Sequence, residues 1–387
     1  MKNIAVIGLG FGDEGKGLVT DWLCEKHLSE NPLVRRFSGG HQVTHTVKRD
    51  KYKHIFANFG SGTLLGVPTY WDEACTIDPV GFMKEYQLLE SKGITPKIYF
   101  HRDCELTTPY DIYSNRQSVN GERLHGTTGM GFYKTLLRKE EVSYSIKNIV
   151  NLLDKTSIGI TNQVKQYLAT IRMYYKNAGE DYELDETDFI QGVCFLAAYM
   201  EQQEPLDLYS KNINIYEGSQ GLLLDKDIGF MPHCTPSNVD FTNLQYVDMD
   251  EVYLVTRGYQ TRHGAGFMTN EHMGLYANNR DESNKANEYQ GEFRKSVLDV
   301  DLLRYAWNKA EKPVNKATNK DVKINLVVTC LDQMNNFHCT NGVNAMCFGG
   351  KERFANYIKK ELNIQGDVYI STGPTAANII KVGEINE

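Results

Sequence analysis

The sequence predicts an α/β fold: a large central, mainly parallel sheet flanked by helices, with a helical layer beside it. Three observations predict it. Short β-branched runs alternate with helical stretches along most of the 387 residues. At the N-terminus a strand-like run, a glycine-rich loop and a helix start follow one another. Residues 146–205 instead carry apolar residues at helical spacing with no strand between them. Residues 1–387 read as one unit, with 146–205 a helical subregion within it.

Taken in order, "KNIAVIGL" (2–9) is a continuous apolar run, as expected of a strand buried on both faces, and 15–28 is the helix that follows. "VGFMKEYQLLESKG" (80–93) is helical and closes on a glycine, and "KIYF" (97–100) follows as a strand. "NINIYEG" (212–218), "DEVYLVTR" (250–257) and "KINLVVT" (323–329) are further strands. Helices follow at about 299–310 and 350–361. No repeat and no low-complexity segment interrupts the pattern.

Composition excludes several classes. Lys plus Arg is 42 against 49 Asp plus Glu, a formal charge of -7, which argues against a nucleic-acid polymer as partner. The longest apolar stretch, "VCFLAAYM", is far too short to span a membrane. The N-terminus lacks the basic region and long apolar core of a signal peptide. The eight cysteines are scattered with no C-x-x-C pair, so neither a zinc-finger spacing nor a disulfide framework is expected. Reduced thiols in the cytoplasm are the expectation.

The strongest local signal is "GLGFGDEGKG", Gly8 to Gly17, between the first strand and its helix. Glycines let a backbone approach an anion, and the helix start supplies free N–H groups. Three readings compete, beside a plain glycine turn with solvated acids. Residues 10–15 satisfy G-x-G-x-x-G, but a dinucleotide site wants an acid about twenty residues further on, where Val34, Arg35 and Arg36 stand. Residues 10–16 satisfy G-x-x-x-x-G-K, but a Walker A loop then needs Ser or Thr, and Gly17 is there. In the third reading the acids act: Asp13 holds Mg²⁺ and takes a proton from a substrate beside the phosphates, while Lys16 neutralises phosphoryl oxygens.

"GDEGKG" after a first strand resembles the opening motif of the adenylosuccinate synthetase family, and further motifs follow in the same order. "RFSGGHQVTHTV" (36–47) is similar to the family's R-[FY]-x-G-G-[HN]-N-A-G-H-T-V, with Gln42, Val43 and Thr44 in place of Asn-Ala-Gly. "SGTL" (61–64), "CTIDPVGF" (75–82) and "LTTPYD" (106–111) resemble scaffold segments. "HGTTGMG" (125–131) matches G-T-T-G-R-G with Met130 for the arginine. "YEGSQGLLLDKDIGFMPHCTPSNV" (216–239) and "YQTRHGAGFMTNE" (259–271, against Y-T-T-R-V-G-x-G-P-F-P-T-E) are the most specific matches. "NEYQGEFRKSVLDVDLLRYA" (287–306) stands where the family has an arginine-rich loop. "VTCLD" (328–332) and "STGPT" (371–375) match T-K-x-D and S-x-G-P.

The resemblance implies a ligase joining L-aspartate to inosine monophosphate with GTP and Mg²⁺, on a large parallel-sheet fold. It makes Asp13 the base, His45 the catalytic acid and Lys16 a phosphoryl contact. Mg²⁺ would sit on Asp13 and the backbone carbonyl of Thr44. The acceptor nucleotide would meet Gln42, Thr128, Gln220 and Thr235, with Arg138 lent to the neighbouring subunit of a homodimer. Arg294 would clamp aspartate. GTP would meet Gly12, Glu14, Gly15, Lys16, Gly17, Thr46, Asp332, Gly373 and Pro374. Asp332 would pair with guanine N1 and N2. His41 is expected at a phosphate or ribose, and Asp225 in a structural role. The reduced loop arginines, Met130 and Cys330 (for a base-stacking lysine) leave open a variant that uses dGMP, or ATP as donor. A nucleotide-binding protein without turnover is the alternative of another class. A dehydrogenase fails on the missing ribose acid.

Overall fold

The structure is a computed structural model, describing all residues except 122–126, 154, 276, 278–288, 290 and 384–387. His125, Gly126 and part of the 287–306 segment thus lie outside the described residues. The apolar N-terminal run forms the strand Lys2–Gly8, which lies in the middle of a nine-stranded sheet. Across the sheet the order is Ile379–Lys381, Val368–Ser371, Lys323–Thr329, Glu251–Arg257, Lys2–Gly8, Ile213–Gly221, Pro32–Arg36, Thr69–Trp71 and Ile98–Phe100. Every neighbouring pair is parallel except Val368–Ser371 with Ile379–Lys381, as the alternating sequence pattern led us to expect.

The period-two geometry of the strands divides the core between the two faces. Ala5, Ile7, Leu254, Leu326 and Val328 pack on one face beneath the helices Val300–Lys309 and Lys351–Glu361. Ile4, Val6, Val255 and Val327 pack on the other beneath Val19 and Leu23 of the helix Lys16–Lys26. Asp299 fixes where Val300–Lys309 starts: its carboxylate accepts from the backbone N–H of Asp301 at 2.9 Å and of Leu302 at 3.4 Å.

Residues 146–205 form the helices Ile146–Val150, Ser157–Asn177 and Thr187–Gln202. Val164, Leu168, Ile171, Val193 and Leu196 bury their apolar side against Phe82 and Leu89 of the helix Pro79–Ser91. Several features were not in the sequence reading. They include the sheet strands Pro32–Arg36, Thr69–Trp71, Val368–Ser371 and Ile379–Lys381, the hairpin His45–Arg49 with Tyr52–Phe56, the helices Pro109–Gly121 and Phe132–Lys139, and a second sheet of four strands, Tyr259–His263, Phe293–Asp299, Phe337–Asn341 and Asn344–Phe348. The described helices include none long and apolar enough to cross a membrane.

Arg49 ties the hairpin to the helix Lys16–Lys26, donating to Asp21 at 2.9 Å and to Glu25 at 2.8 Å. Burial pushes the Asp21 carboxyl up to about 6, against the pull of Arg49. A carboxyl whose pKa is raised in the fold favours the folded state most below its unfolded pKa and loses that contribution as pH rises through the folded one. Asp21's contribution is therefore full below pH ~4 and gone above pH ~6. Urea denaturation across this range should show the decline, and Asp21→Asn should flatten it. Leu254, fully buried in a central strand, should cost about 2–5 kcal/mol when replaced by alanine; a urea midpoint unchanged in Leu254→Ala would contradict this packing.

Candidate active site

In open parallel sheets, loops leaving the carboxyl ends of neighbouring strands splay apart and leave a crevice. The loop after Lys2–Gly8 opens on such a crevice. Gly12, Asp13 and Gly15 take positive φ values of 91°, 57° and 87°, and Gly15 is the residue before the helix Lys16–Lys26. Asp13 is the one non-glycine among the three, in a conformation that L residues rarely adopt.

The loop is held from within. The buried Glu14 carboxylate accepts from the Gly10 N–H and lies 3.3 Å from Lys16 Nζ. Burial raises the Glu14 carboxyl, with Lys16 opposing it. Glu14 is thus an internal strut whose carboxylate is already engaged within the loop. Asp13 is half-buried at the rim. Burial alone would raise its carboxyl, but His263, 2.8 Å away, together with Arg257 and Lys16, holds it below the usual carboxylate range.

Gly17 explains why the Walker serine or threonine is absent. A Cβ there would stand 2.9 Å from His45 Cβ and 3.0 Å from Ser61 Oγ. The glycine lets His45, first residue of the hairpin, sit against the helix start. His45 Nδ1 lies 3.4 Å from Glu217, whose carboxylate also accepts from Ser61. Burial, then the charges of Arg36 and Lys16, hold the His45 imidazole well below its usual range and so neutral. Its Nε2 is buried with no hydrogen-bond partner among the described residues.

Around this loop lies a cleft of about 1530 Å³. A site for one small molecule is typically ~300–1,000 Å³, so there is room for two ligands. Its walls carry Gly12, Asp13, Glu14, Gly15, Lys16 and Gly17; Gln42, Thr44, His45 and Thr46; Thr128, Gln220 and Thr235; and Asp332, Gly373 and Pro374. Segments more than 350 residues apart in sequence thus meet at one place. Gln42 Nε2 and Gln220 Oε1, like His45 Nε2, are buried polar atoms without a partner among the described residues, an arrangement that is costly unless a ligand or water completes it. Asp225, fully buried, accepts from the N–H groups of Asp227 and Ile228 at 2.8 and 3.3 Å and from that of Val239, so it holds the loop that presents Thr235.

Three expected residues stand elsewhere. Arg138 is fully buried and committed inside its own subunit. Its Nε and Nη2 donate to Asp111 at 2.8 and 3.1 Å, Nη2 also to the Leu106 carbonyl, and Nη1 to that of Val142. It is thus held away from the position expected of an arginine lent to a neighbour. Arg294 does not line the cleft: it donates to Glu271 at 2.9 Å and to the carbonyls of Gly264 and Gly266, bracing the 264–271 turn. His41 is bonded to Asn58 at 2.9 Å and packs on Gly81.

Other groups in the cleft were not singled out in the sequence. Arg257 donates to the Asp13 carbonyl, and Thr261 to that of Gly12 at 3.3 Å. His263 reaches the Asp13 side chain. Lys48 and Lys53, cross-strand neighbours on the hairpin, face the same space. The period-two pattern of "YQTRH" put Thr261 and His263 on one strand face, the one signal that could have singled them out. Asp13, an ionised carboxylate, and the exposed Thr44 both line this cleft, and oxygen donors are the kind that a hard divalent cation takes.

Gly17→Ala should push His45 and Ser61 apart. The expected loss is about 1–3 kcal/mol of stability, as for overpacking elsewhere, read by urea denaturation; a fully tolerated Cβ would mean His45 does not sit where described.

The sequence model of the adenylosuccinate synthetase family matches residues 5–337. The adenylosuccinate synthetase of Psychrobacter cryohalolentis is 30% identical over 285 residues, 68% of this chain and 64% of the relative. That of Thermodesulfovibrio yellowstonii is 29% identical over 294 residues, 69% of this chain and 64% of the relative. The aligned stretch therefore spans less than two thirds of either relative. Among solved structures, fully ligated adenylosuccinate synthetase from Plasmodium falciparum superposes with a TM-score of 0.73 at 17% identity, covering 98% of this chain and 99% of that one. The succinoaminodeoxyadenylate synthetase of cyanophage S-2L, bound to dGMP and to dATP as an energy donor, gives 0.62 at 13% identity, covering 99% and 96%. At these identities the two structures speak for the fold, the large sheet with its helices. The match over residues 5–337 speaks for the family: the chain belongs to the adenylosuccinate synthetase family.

Proposed function

We propose that residues 1–387 form one catalytic unit, a carbon–nitrogen ligase that joins L-aspartate to C6 of IMP, with GTP as phosphoryl donor and Mg²⁺ as cofactor, in AMP synthesis. The observation that carries this reading is the cleft itself. Gln42, His45 and Gln220, each with a buried polar atom lacking a partner among the described residues, line it together with the ionised Asp13 and with Lys16.

In this reading Asp13 takes the N1 proton of the 6-oxopurine, and the 6-oxygen attacks the γ-phosphorus as the bond to the β–γ bridging oxygen breaks and GDP leaves. Lys16 stands by the phosphoryl oxygens. His45, oriented through Nδ1 by Glu217, offers Nε2 to the same group. Mg²⁺, on Asp13 and the Thr44 carbonyl, supplies positive charge to the phosphates when bound. Phosphoryl transfer depends mainly on such positioning and electrostatics. The aspartate amine then attacks C6 and phosphate leaves. Gln220 reads the base, Thr128 and Thr235 hold the acceptor's phosphate, and Gln42 completes its pocket. Thr46, the loop backbone, Asp332, Gly373 and Pro374 take the donor. Arg294 reaches the amino acid's carboxylate only by releasing Glu271. A homodimer and a cytoplasmic setting complete the proposal on the family resemblance alone.

A second reading, dGMP as acceptor or ATP as donor, is favoured by Arg294: in place of several loop arginines, the described loop offers one that is already paired to Glu271. Phosphate release with IMP, dGMP or GMP, with and without aspartate, using GTP or ATP, separates the readings. Release that depends on IMP, aspartate and GTP is expected; no release with any combination would overturn the ligase. Asp13→Ala and His45→Asn should each lower kcat by about 10²–10⁴-fold without shifting the thermal midpoint. Wild-type turnover in either variant would remove that residue from the mechanism.

A further inference from the structure

Asp13 is held from two directions by one stretch of chain. Arg257 and Thr261 donate to the carbonyls of Asp13 and Gly12, fixing the backbone of the left-handed turn. Thr261 and His263 are two residues apart on the strand Tyr259–His263, so their side chains share a face. His263 therefore points where Thr261 points, and its Nε2 comes within 2.8 Å of Asp13 Oδ2. The ring is braced by Phe293, its cross-strand partner, at 4.8 Å between centroids. Its Nδ1 is buried and has no hydrogen-bond partner among the described residues, so Asp13 is the polar group that orients it. In "YQTRHGAGFMTNE" this histidine stands where the resembling segment has valine, a side chain with nothing to offer a carboxylate.

We propose that His263 is a positioning residue for Asp13: it holds Oδ2, fixes the carboxylate's rotation and leaves Oδ1 turned toward the acceptor's N1–H. This rests on the reading of Asp13 as the base. A carboxylate free to rotate about its Cβ–Cγ bond spends less time in the productive pose, and a misplacement of about 1 Å can cost ~10²-fold in rate. The loss falls on kcat, because His263 acts on the base and not on nucleotide affinity.

The test compares kcat and KM for the acceptor in wild type, His263→Val, His263→Gln, Asp13→Ala and the Asp13→Ala/His263→Val double variant. We expect His263→Val to lower kcat about 10- to 100-fold with KM changed by less than about threefold. His263→Gln, which keeps an N–H within reach of Oδ2, should recover most of that loss. In the Asp13→Ala background the valine should cost nothing further. A kcat for His263→Val within twofold of wild type, equal losses for Val and Gln, or losses that multiply in the double variant would each overturn the proposal. If His263→Val melts early, His263→Leu replaces it. A crystal structure of the valine or leucine variant gives a readout separate from turnover: the Asp13 carboxylate should have rotated, and an unmoved carboxylate overturns the positioning role. Absence of ligation by the wild type would instead bring down the ligase reading, and with it this one.

Discussion

The carboxylate of Glu14, folded back beneath the glycine loop, is the interaction on which the rest of the cleft depends. It ties the Gly10 N–H to the Lys16 ammonium, so the loop closes on itself and the next residue outward, Asp13, is turned toward the rim. The strand before the loop must be glycine at position 8, because a Cβ there would stand 1.8 Å from Glu14 Oε2. A buried pair of this kind is weak evidence of net stability, since desolvation offsets attraction, but breaking it strands a charge. Its value is geometric. It fixes a loop that Arg257, on the adjacent strand of the same sheet, and Thr261 and His263, on the second sheet, then grip.

The sequence carried the sheet well because its strands are buried on both faces. Runs such as "KINLVVT" are apolar throughout, and the observed strand Lys323–Thr329 has the expected bounds. The hairpin His45–Arg49 with Tyr52–Phe56 escaped because "HTVKRDKYKHIF" carries seven charged or histidine side chains, and one of its faces looks into the cleft instead of a core. Placement in the cleft was legible where a residue's type is dictated by a local motif, as for Asp13, Lys16 and His45. The placement of Arg138 and Arg294 was not legible. A sequence names a guanidinium but not which carboxylate, Asp111 or Glu271, will claim it across 27 or 23 residues.

Net charge misleads about this cleft. The chain carries -7 overall, yet the cleft gathers Lys16, Lys48, Lys53, Lys134, Lys226, Arg257 and Arg262 against Asp13, Glu14, Asp227 and Asp332. Lys48 and Lys53 sit directly opposite on one hairpin face, a like-charge pair that costs stability unless an anion lies between them. Low-dielectric walls focus such a field into the crevice. The charge of the whole chain therefore says little about the local charge of the crevice.

The burial of Arg138 has a consequence for assembly. A guanidinium spent on Asp111, with Tyr175 hydrogen-bonded to the same carboxylate at 2.7 Å, cannot be lent across a subunit boundary without leaving a buried charge behind. At this position the guanidinium serves as an internal brace. An ion pair closed within one copy keeps its geometry at any dilution, unlike one made across a boundary between copies.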